Sequence, residues 1–231
     1  MGMGKIETGT LRPLALGLML LLNGAFAAEA LAEPMNFQLV TLGGRHCGAR
    51  CPQVISAQGE ISEGSAEDFL RFAKDNVGSG ELHGIVLLDS PGGRVAASME
   101  LGQTIRSLGM AVIIARPGSQ TAQNGDLFSG RCYSACVYAL MGGRKRVIPP
   151  QSRVGVHRMF NYTTSFDLAA GGFVRERYLD DGDMREKLAR YSTMMGVSAN
   201  LINLAEHTSP DRIHVLTRAE ISRWRLGSQK L

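Results

Sequence analysis

The 231-residue chain is sparing with the features that would define its class outright. It has no extended run of one charge. Its formal net charge of +4 comes from scattered Arg and Lys, and the densest basic cluster, Arg144-Lys145-Arg146, is three residues long. That is too thin an electrostatic footprint for a nucleic-acid interface. Internal repeats are absent, which excludes solenoids and propellers. Cysteine is scarce, at four residues, and falls into two sets of equal spacing: Cys47 with Cys51, and Cys132 with Cys136. No apolar run reaches the roughly 20 residues needed to span hydrocarbon. The longest, LALGLMLLLNGAFA (residues 14–27), is interrupted by Asn23 and Gly24.

That run lies between Lys5 and Arg12 on one side and two small-x-small sites, Ala25-Phe26-Ala27 and Ala30-Leu31-Ala32, on the other. The arrangement reads as a signal peptide over residues 1–32, with an uncleaved N-terminal membrane anchor as the rival reading. Residues 33–231 are then the working domain, exported and periplasmic. In an oxidising compartment cysteines pair, so Cys47, Cys51, Cys132 and Cys136 are disulfide candidates. Four cysteines allow three pairings and sequence does not choose among them, although local pairing is simplest. A four-thiolate zinc site is the alternative; structural zinc more often uses tighter knuckles.

What is present is an alternation of strands and helices. VISAQGEI (54–61) reads as a strand, and Ser65 opens a helix with Phe69, Phe72, Ala73 and Val77 on one face. GIVLLD (84–89) is a continuous apolar run, as expected of a strand covered on both faces. After Ser90-Pro91-Gly92-Gly93 comes a helix with Ala97, Leu101, Ile105 and Leu108 on one stripe, stopped by Gly109. AVIIAR (111–116) is a second buried strand, and PGSQTAQNGD (117–126) an extended loop. The pattern implies an α/β fold: one domain of repeated β-α units with a mostly parallel sheet.

GRCYSACVYALM (130–141) leads into a helix beginning near Ser134. A serine there is ordinarily a cap for an unpaired backbone N–H. His157 lies next to last in RVGVHR, sharing one strand face with Gly155 while Val154 and Val156 occupy the other. Serine becomes a nucleophile when an imidazole takes its proton and a carboxylate holds that imidazole in the right tautomer. Glycines after a strand also let backbone amides approach a developing oxyanion.

LLDSPGGRV, a serine about 40 residues on, and then GGRKRVIPPQSRVGVHR together resemble the Clp-type serine peptidases of the ClpP/crotonase superfamily. The resemblance spans roughly residues 54–227. It implies Ser134 as nucleophile, His157 as base and Asp211, in HTSPDRIHVLTRAE, as acid. Gly92, Gly93 and the Ala135 amide would form the oxyanion hole. Asp211 also reads as turn or helix-start punctuation, and Asp89 is a substitute orienter or a turn residue. Two departures stand out: Ala135 follows the serine where the family has Met, and Arg158 follows the histidine where Gln is usual. The signal-peptide peptidases, related in fold, use a lysine base. Lys145 follows the nucleophilic helix too closely for that role, Lys187 lies in a helix-like stretch, and His157 favours the Clp-like triad.

The resemblance therefore implies a serine peptidase acting on peptides or unfolded protein, with no cofactor, no metal and no nucleic acid. An exported chain meets no ATP, so an ATP-driven unfoldase is not expected as partner. Residues 160–196 correspond to the family's handle insertion, which implies self-association into a homo-oligomer. A membrane is a partner only if the N-terminal segment stays uncleaved. The alternatives are another acyl hydrolase on the same fold and a catalytically silent scaffold.

Overall fold

Apolar runs that do not alternate need cover on both faces, and the central strands show how this chain supplies it. The computed structural model describes residues 1, 33–43, 51–76, 82–118, 127–180 and 182–230. Residues 2–32 of the proposed signal segment, Cys47, Val77 and most of the 117–126 loop lie outside them. In β3 (Leu82–Asp89), Val86 and Leu88 face one side while Ile85 and Leu87 face the other. The first pair enters the main core with the helices. Leu87 instead joins a smaller cluster with Val54, Ile113, Ala115 and Val147, against which Val40 and Leu42 pack. Water is thereby excluded from both faces.

Five strands form the main sheet, in the order β1 (Asn36–Thr41), β2 (Gln53–Gln58), β3, β4 (Ala111–Ile113) and β8 (Arg146–Val147). β1 is antiparallel to β2 and the other neighbours are parallel. The mostly parallel α/β sheet expected from sequence is what the chain forms. β1 was not anticipated, because its burial is only partial and its pattern correspondingly weak. AVIIAR divides into β4 and β5 (Ala115–Pro117), and β5 pairs antiparallel with β6 (Leu127–Ser129).

α1 (Ser65–Asn76) buries Phe69 and Ala73, and α2 (Val95–Ser107) buries Ala97, Leu101 and Ile105. Leu108, expected on the same stripe, is instead 41% exposed. It is the C-cap residue, and Gly109 at φ +71° turns the chain away after it. α3 (Cys136–Met141) is buried along its whole length. Its C-terminal end is held by Arg146, whose guanidinium donates to the carbonyls of Met141, Gly143, Met195, Arg225 and Leu226 at 2.7–3.1 Å. One member of the basic cluster is thus structural, while Arg144 and Lys145 stay exposed.

A second sheet carries the site. Its strands are β7 (Arg131–Tyr133), β9 (Arg153–Val156) and β12 (His214–Val215), with β9 central, parallel to β7 and antiparallel to β12. β10 (Phe160–Asp167) and β11 (Gly172–Leu179) form a separate two-stranded hairpin. α4 (Asp183–Met194), α5 (Asn200–Glu206) and α6 (Arg218–Arg223) complete the chain. The last begins with a capping box between Thr217 and Glu220.

Close approach of α2 to α3 depends on Gly102. A Cβ there would meet the Tyr191 hydroxyl, the Tyr138 carbonyl at 2.7 Å and the Ala139 Cα at 3.3 Å. The Tyr191 hydroxyl donates to that same carbonyl at 2.7 Å. Alanine would gain about 1 kcal/mol of helix propensity, against an overpacking cost of about 1–3 kcal/mol. Because two of the obstructing groups are backbone, the clash should win. Gly102→Ala should lower stability by about 1–2 kcal/mol in chemical denaturation; unchanged or higher stability would refute this packing argument.

Candidate active site

Two strand ends, far apart in sequence, meet at Ser134. The Tyr133–Gly155 pair ends the parallel ladder of β7 and β9, and the Ser134 N–H continues it, donating to the Gly155 carbonyl at 2.9 Å. Neighbouring strands lie about 4.8 Å apart. The next residues along each strand are Ser134 on one and Val156 then His157 on the other. Ser134 and His157 consequently leave the sheet from adjacent strands at the same end.

Ser134 adopts φ +55°, a left-handed conformation uncommon for a residue with a side chain. Such a position costs on the order of 1–3 kcal/mol and persists only where its surroundings enforce it. Three constraints do so here. The Ser134 amide is bonded to β9, its carbonyl accepts from Val137 N–H at 3.2 Å to start α3, and Cys132 and Cys136 are joined by a disulfide across the turn. The disulfide settles the local pairing of this set and makes its sulfurs unavailable as thiolate ligands to zinc. Cys51 is also disulfide-bonded, with its partner outside the described residues. Ser134 does not act as a helix cap: the N-cap of α3 is Ala135, and no side chain caps it.

The end of β3 is tied to the same strand. Asp89 Oδ1 accepts from Arg131 N–H at 2.7 Å, Ser90 N–H donates to the Arg131 carbonyl at 2.8 Å, and Tyr133 N–H donates to the Ser90 carbonyl at 3.1 Å. Asp89 is therefore a strand-end anchor. These bonds set the Pro-Gly-Gly turn against Ser134. A Cβ on Gly92 (φ +117°) would lie 2.8 Å from the Tyr133 carbonyl, 2.9 Å from Ser134 Cβ and 3.2 Å from the Ala135 nitrogen. The Gly92 N–H is engaged by Ser90 Oγ at 3.1 Å, and its carbonyl accepts from Ile61 N–H at 2.7 Å. Across a trans peptide the following N–H points the opposite way, so the Gly93 amide is directed away from Ile61. Among the described residues neither the Gly93 nor the Ala135 amide has a hydrogen-bond partner. Gly92 thus supplies close approach rather than a free donor.

His157 is half-buried, and its Nδ1 lies 2.8 Å from the Arg158 carbonyl. A carbonyl only accepts, so this contact makes Nδ1 the donor; in the neutral ring the lone pair is then on Nε2. The ring also lies against Phe160, with centroids 5.8 Å apart. Ser134 Oγ and His157 are not hydrogen-bonded to each other in this structure.

Asp211 is placed elsewhere. Its carboxylate meets Arg177 of β11 at 2.7 Å, and its side chain is 66% exposed. The hydrogen bond from Arg177 holds the carboxyl below the usual aspartate range. The expected acid is thus paired with the hairpin, and a main-chain carbonyl occupies His157 Nδ1. The two lysines weighed as bases are also elsewhere: Lys145 is exposed after α3, and Lys187 lies 3.5 Å from Asp183 on α4.

No protein-family model matches the chain, and no curated protein matches it. Among solved structures, the S97A mutant of the 1510-N membrane-bound stomatin-specific protease is similar at 18% identity and a TM-score of 0.51. It covers 76% of this chain and 78% of that one. ClpP1 from Listeria monocytogenes is similar at 20% identity and a TM-score of 0.46, over 73% of this chain and 84% of its own. The chain has the α/β fold of the first of these, with its mostly parallel sheet. Among the described residues no helix is long and apolar enough to cross a membrane.

The disulfide encloses a short loop, so chain entropy limits its contribution to about 2 kcal/mol. Its larger effect should be on the turn it spans. In Cys132→Ala/Cys136→Ala, stability should fall by about that amount, and labelling of Ser134 by a fluorophosphonate should slow by a larger factor than the lost folded fraction explains. Equal labelling rates per folded molecule would refute a bracing role.

Proposed function

We propose that this protein is an exported, periplasmic serine peptidase that hydrolyses peptide bonds without ATP or a cofactor, using Ser134 as nucleophile and His157 as general base. The observation that carries this reading is Ser134 in a left-handed turn, at a helix start, on the strand end beside that of His157. Strain of this kind is retained where a site uses it. In the reaction, Nε2 of His157 takes the Ser134 proton as Oγ attacks the substrate carbonyl. The oxyanion is received by the Gly93 and Ala135 amides, with the α3 N-terminus behind them. The same proton passes to the amine as the C–N bond breaks, and water then releases the acyl group from Oγ by the reverse proton path. Unliganded sites are looser than their substrate complexes, so the Ser134–His157 hydrogen bond is expected to form with substrate. Asp211 can join as the triad's acid only by leaving Arg177.

A stoichiometric fluorophosphonate adduct on Ser134 is the expected result. Ser134→Ala should abolish it, and His157→Ala should slow it by at least about 100-fold. The second reading, a silent scaffold, is favoured by the unbonded Ser134–His157 pair and by the Arg177–Asp211 ion pair. Failure of the folded protein to label at any pH between 6 and 9 would decide for it. Release of products from a peptide library, as against simple esters alone, separates a peptidase from another acyl hydrolase.

Self-association is part of the same proposal. An isolated two-stranded hairpin is marginal in water, yet β10 and β11 expose Phe166 (56%), Phe173 (78%) and, at the turn, Leu168 (89%). These residues lie at the hairpin's far end, where Phe166 faces Phe173 in register. Sedimentation should show an oligomer of residues 33–231 that Phe166→Ser/Phe173→Ser dissociates by at least about tenfold in Kd, about 1.4 kcal/mol. A monomer at 100 μM would refute it.

A further inference from the structure

Glu206 has an environment that the fold alone does not require. It ends α5, where the helix dipole disfavours an anion. Its side chain is only 9% exposed. Burial pushes its carboxyl above the usual glutamate range, against the opposing pull of Arg158; Asp180 raises it further, while Arg185 and the Met159 N–H favour the charged form. The buried Tyr138 hydroxyl also senses its charge.

Every fixed handle on Arg158 leads to the same place. Its N–H donates to the Thr208 carbonyl at 2.9 Å, two residues beyond Glu206. Its Nε lies 3.4 Å from Glu206 Oε2 and is itself buried, with no hydrogen-bond partner among the described residues. The contact is therefore one of charge, and Glu206 is the carboxylate that meets this guanidinium. The carbonyl of this same Arg158 receives His157 Nδ1.

We propose that Glu206 is the positioning acid of this site: with Arg158 it fixes the carbonyl that orients His157, the task that the family resemblance implies for Asp211. The inference rests on the serine-hydrolase reading for its purpose, but its geometry stands apart from catalysis. A carboxylate that cannot reach the imidazole directly controls it through the peptide plane next to it. The N–H of the peptide that carries the Arg158 carbonyl is that of Met159, which also donates to Glu206. Loss of the Glu206 charge weakens that bond and releases the Arg158 side chain, lets the plane rotate and admits the Nε2–H tautomer, in which the base lone pair points away from the nucleophile.

The test is the tautomer of His157 in protein labelled with 15N-histidine, assigned by comparison with His157→Gln. Wild type should show one Nδ1–H tautomer near neutral pH. Glu206→Gln and Arg158→Gln should each give mixed tautomers, with non-additive effects in the double variant. Arg158→Lys, which keeps the charge, should restore much of the wild-type signal. Glutamine removes a buried charge, so Glu206→Gln is expected to fold; Arg158→Gln tests the same link should it fail. Fluorophosphonate labelling should slow about 10–100-fold in parallel. Unchanged imidazole signals in the folded variants, or a shift produced by Asp211→Asn instead, would overturn the proposal. Wild type that takes no label would remove the hydrolase reading, while the tautomer measurement would still decide the link between Glu206 and His157.

Discussion

A single backbone hydrogen bond, from Ser134 N–H to the Gly155 carbonyl, sets the geometry on which the candidate site depends. It extends the β7–β9 ladder one residue past Tyr133, so that α3 must begin from a strand that has not yet left its neighbour. Satisfying both the ladder and the helix forces Ser134 to φ +55°. The hydroxyl is thereby lifted out of the position where a serine would cap α3. Placement of the Pro-Gly-Gly turn follows from the same strand, because Asp89 and Ser90 hydrogen-bond to the backbone of Arg131 and Tyr133.

Much of this was legible in sequence because it depends on local chemistry. The continuous apolar run at 84–88 could only be satisfied by cover on both faces, and the structure supplies two clusters to give it. A spacing of four between Cys132 and Cys136 suits a bond across one turn, and the Cα atoms are 5.3 Å apart. Gly92 and Gly93 were readable as a turn, but not the division of labour between them. Only the surrounding hydrogen bonds show that the first amide is engaged and the second is not.

What was not legible depends on partners distant in the chain. Asp211 looks like an acid or a turn residue within its own segment, and nothing local announces Arg177 as its partner. Leu108 kept the helical stripe in phase, yet phase carries no information about where the helix stops covering the core. Glu206 left a faint trace: it follows Ile202 by four residues, so a carboxylate shares a helical face with a residue that is 1% exposed. A charge in that position is expensive unless something meets it.

The placement of charge around His157 bears on how the base is held. In a carboxylate-oriented histidine, the imidazolium formed during attack gains a full opposite charge. A carbonyl offers only a dipole, so Arg158 provides orientation and tautomer choice with less stabilisation of the charged ring. The Glu206–Arg158 pair adds no net charge; in the proposed arrangement it serves only to hold the carbonyl beside it. Asp211 meanwhile pairs with Arg177 of the hairpin that also presents Phe160 to the His157 ring. Any contact that draws Arg177 away would free the Asp211 carboxylate, while the contact of His157 Nδ1 with the Arg158 carbonyl would persist. In the proposed arrangement orientation is the task of Glu206 on α5, which meets the histidine's own loop through Arg158, while Asp211, in the segment before β12, stays engaged with Arg177.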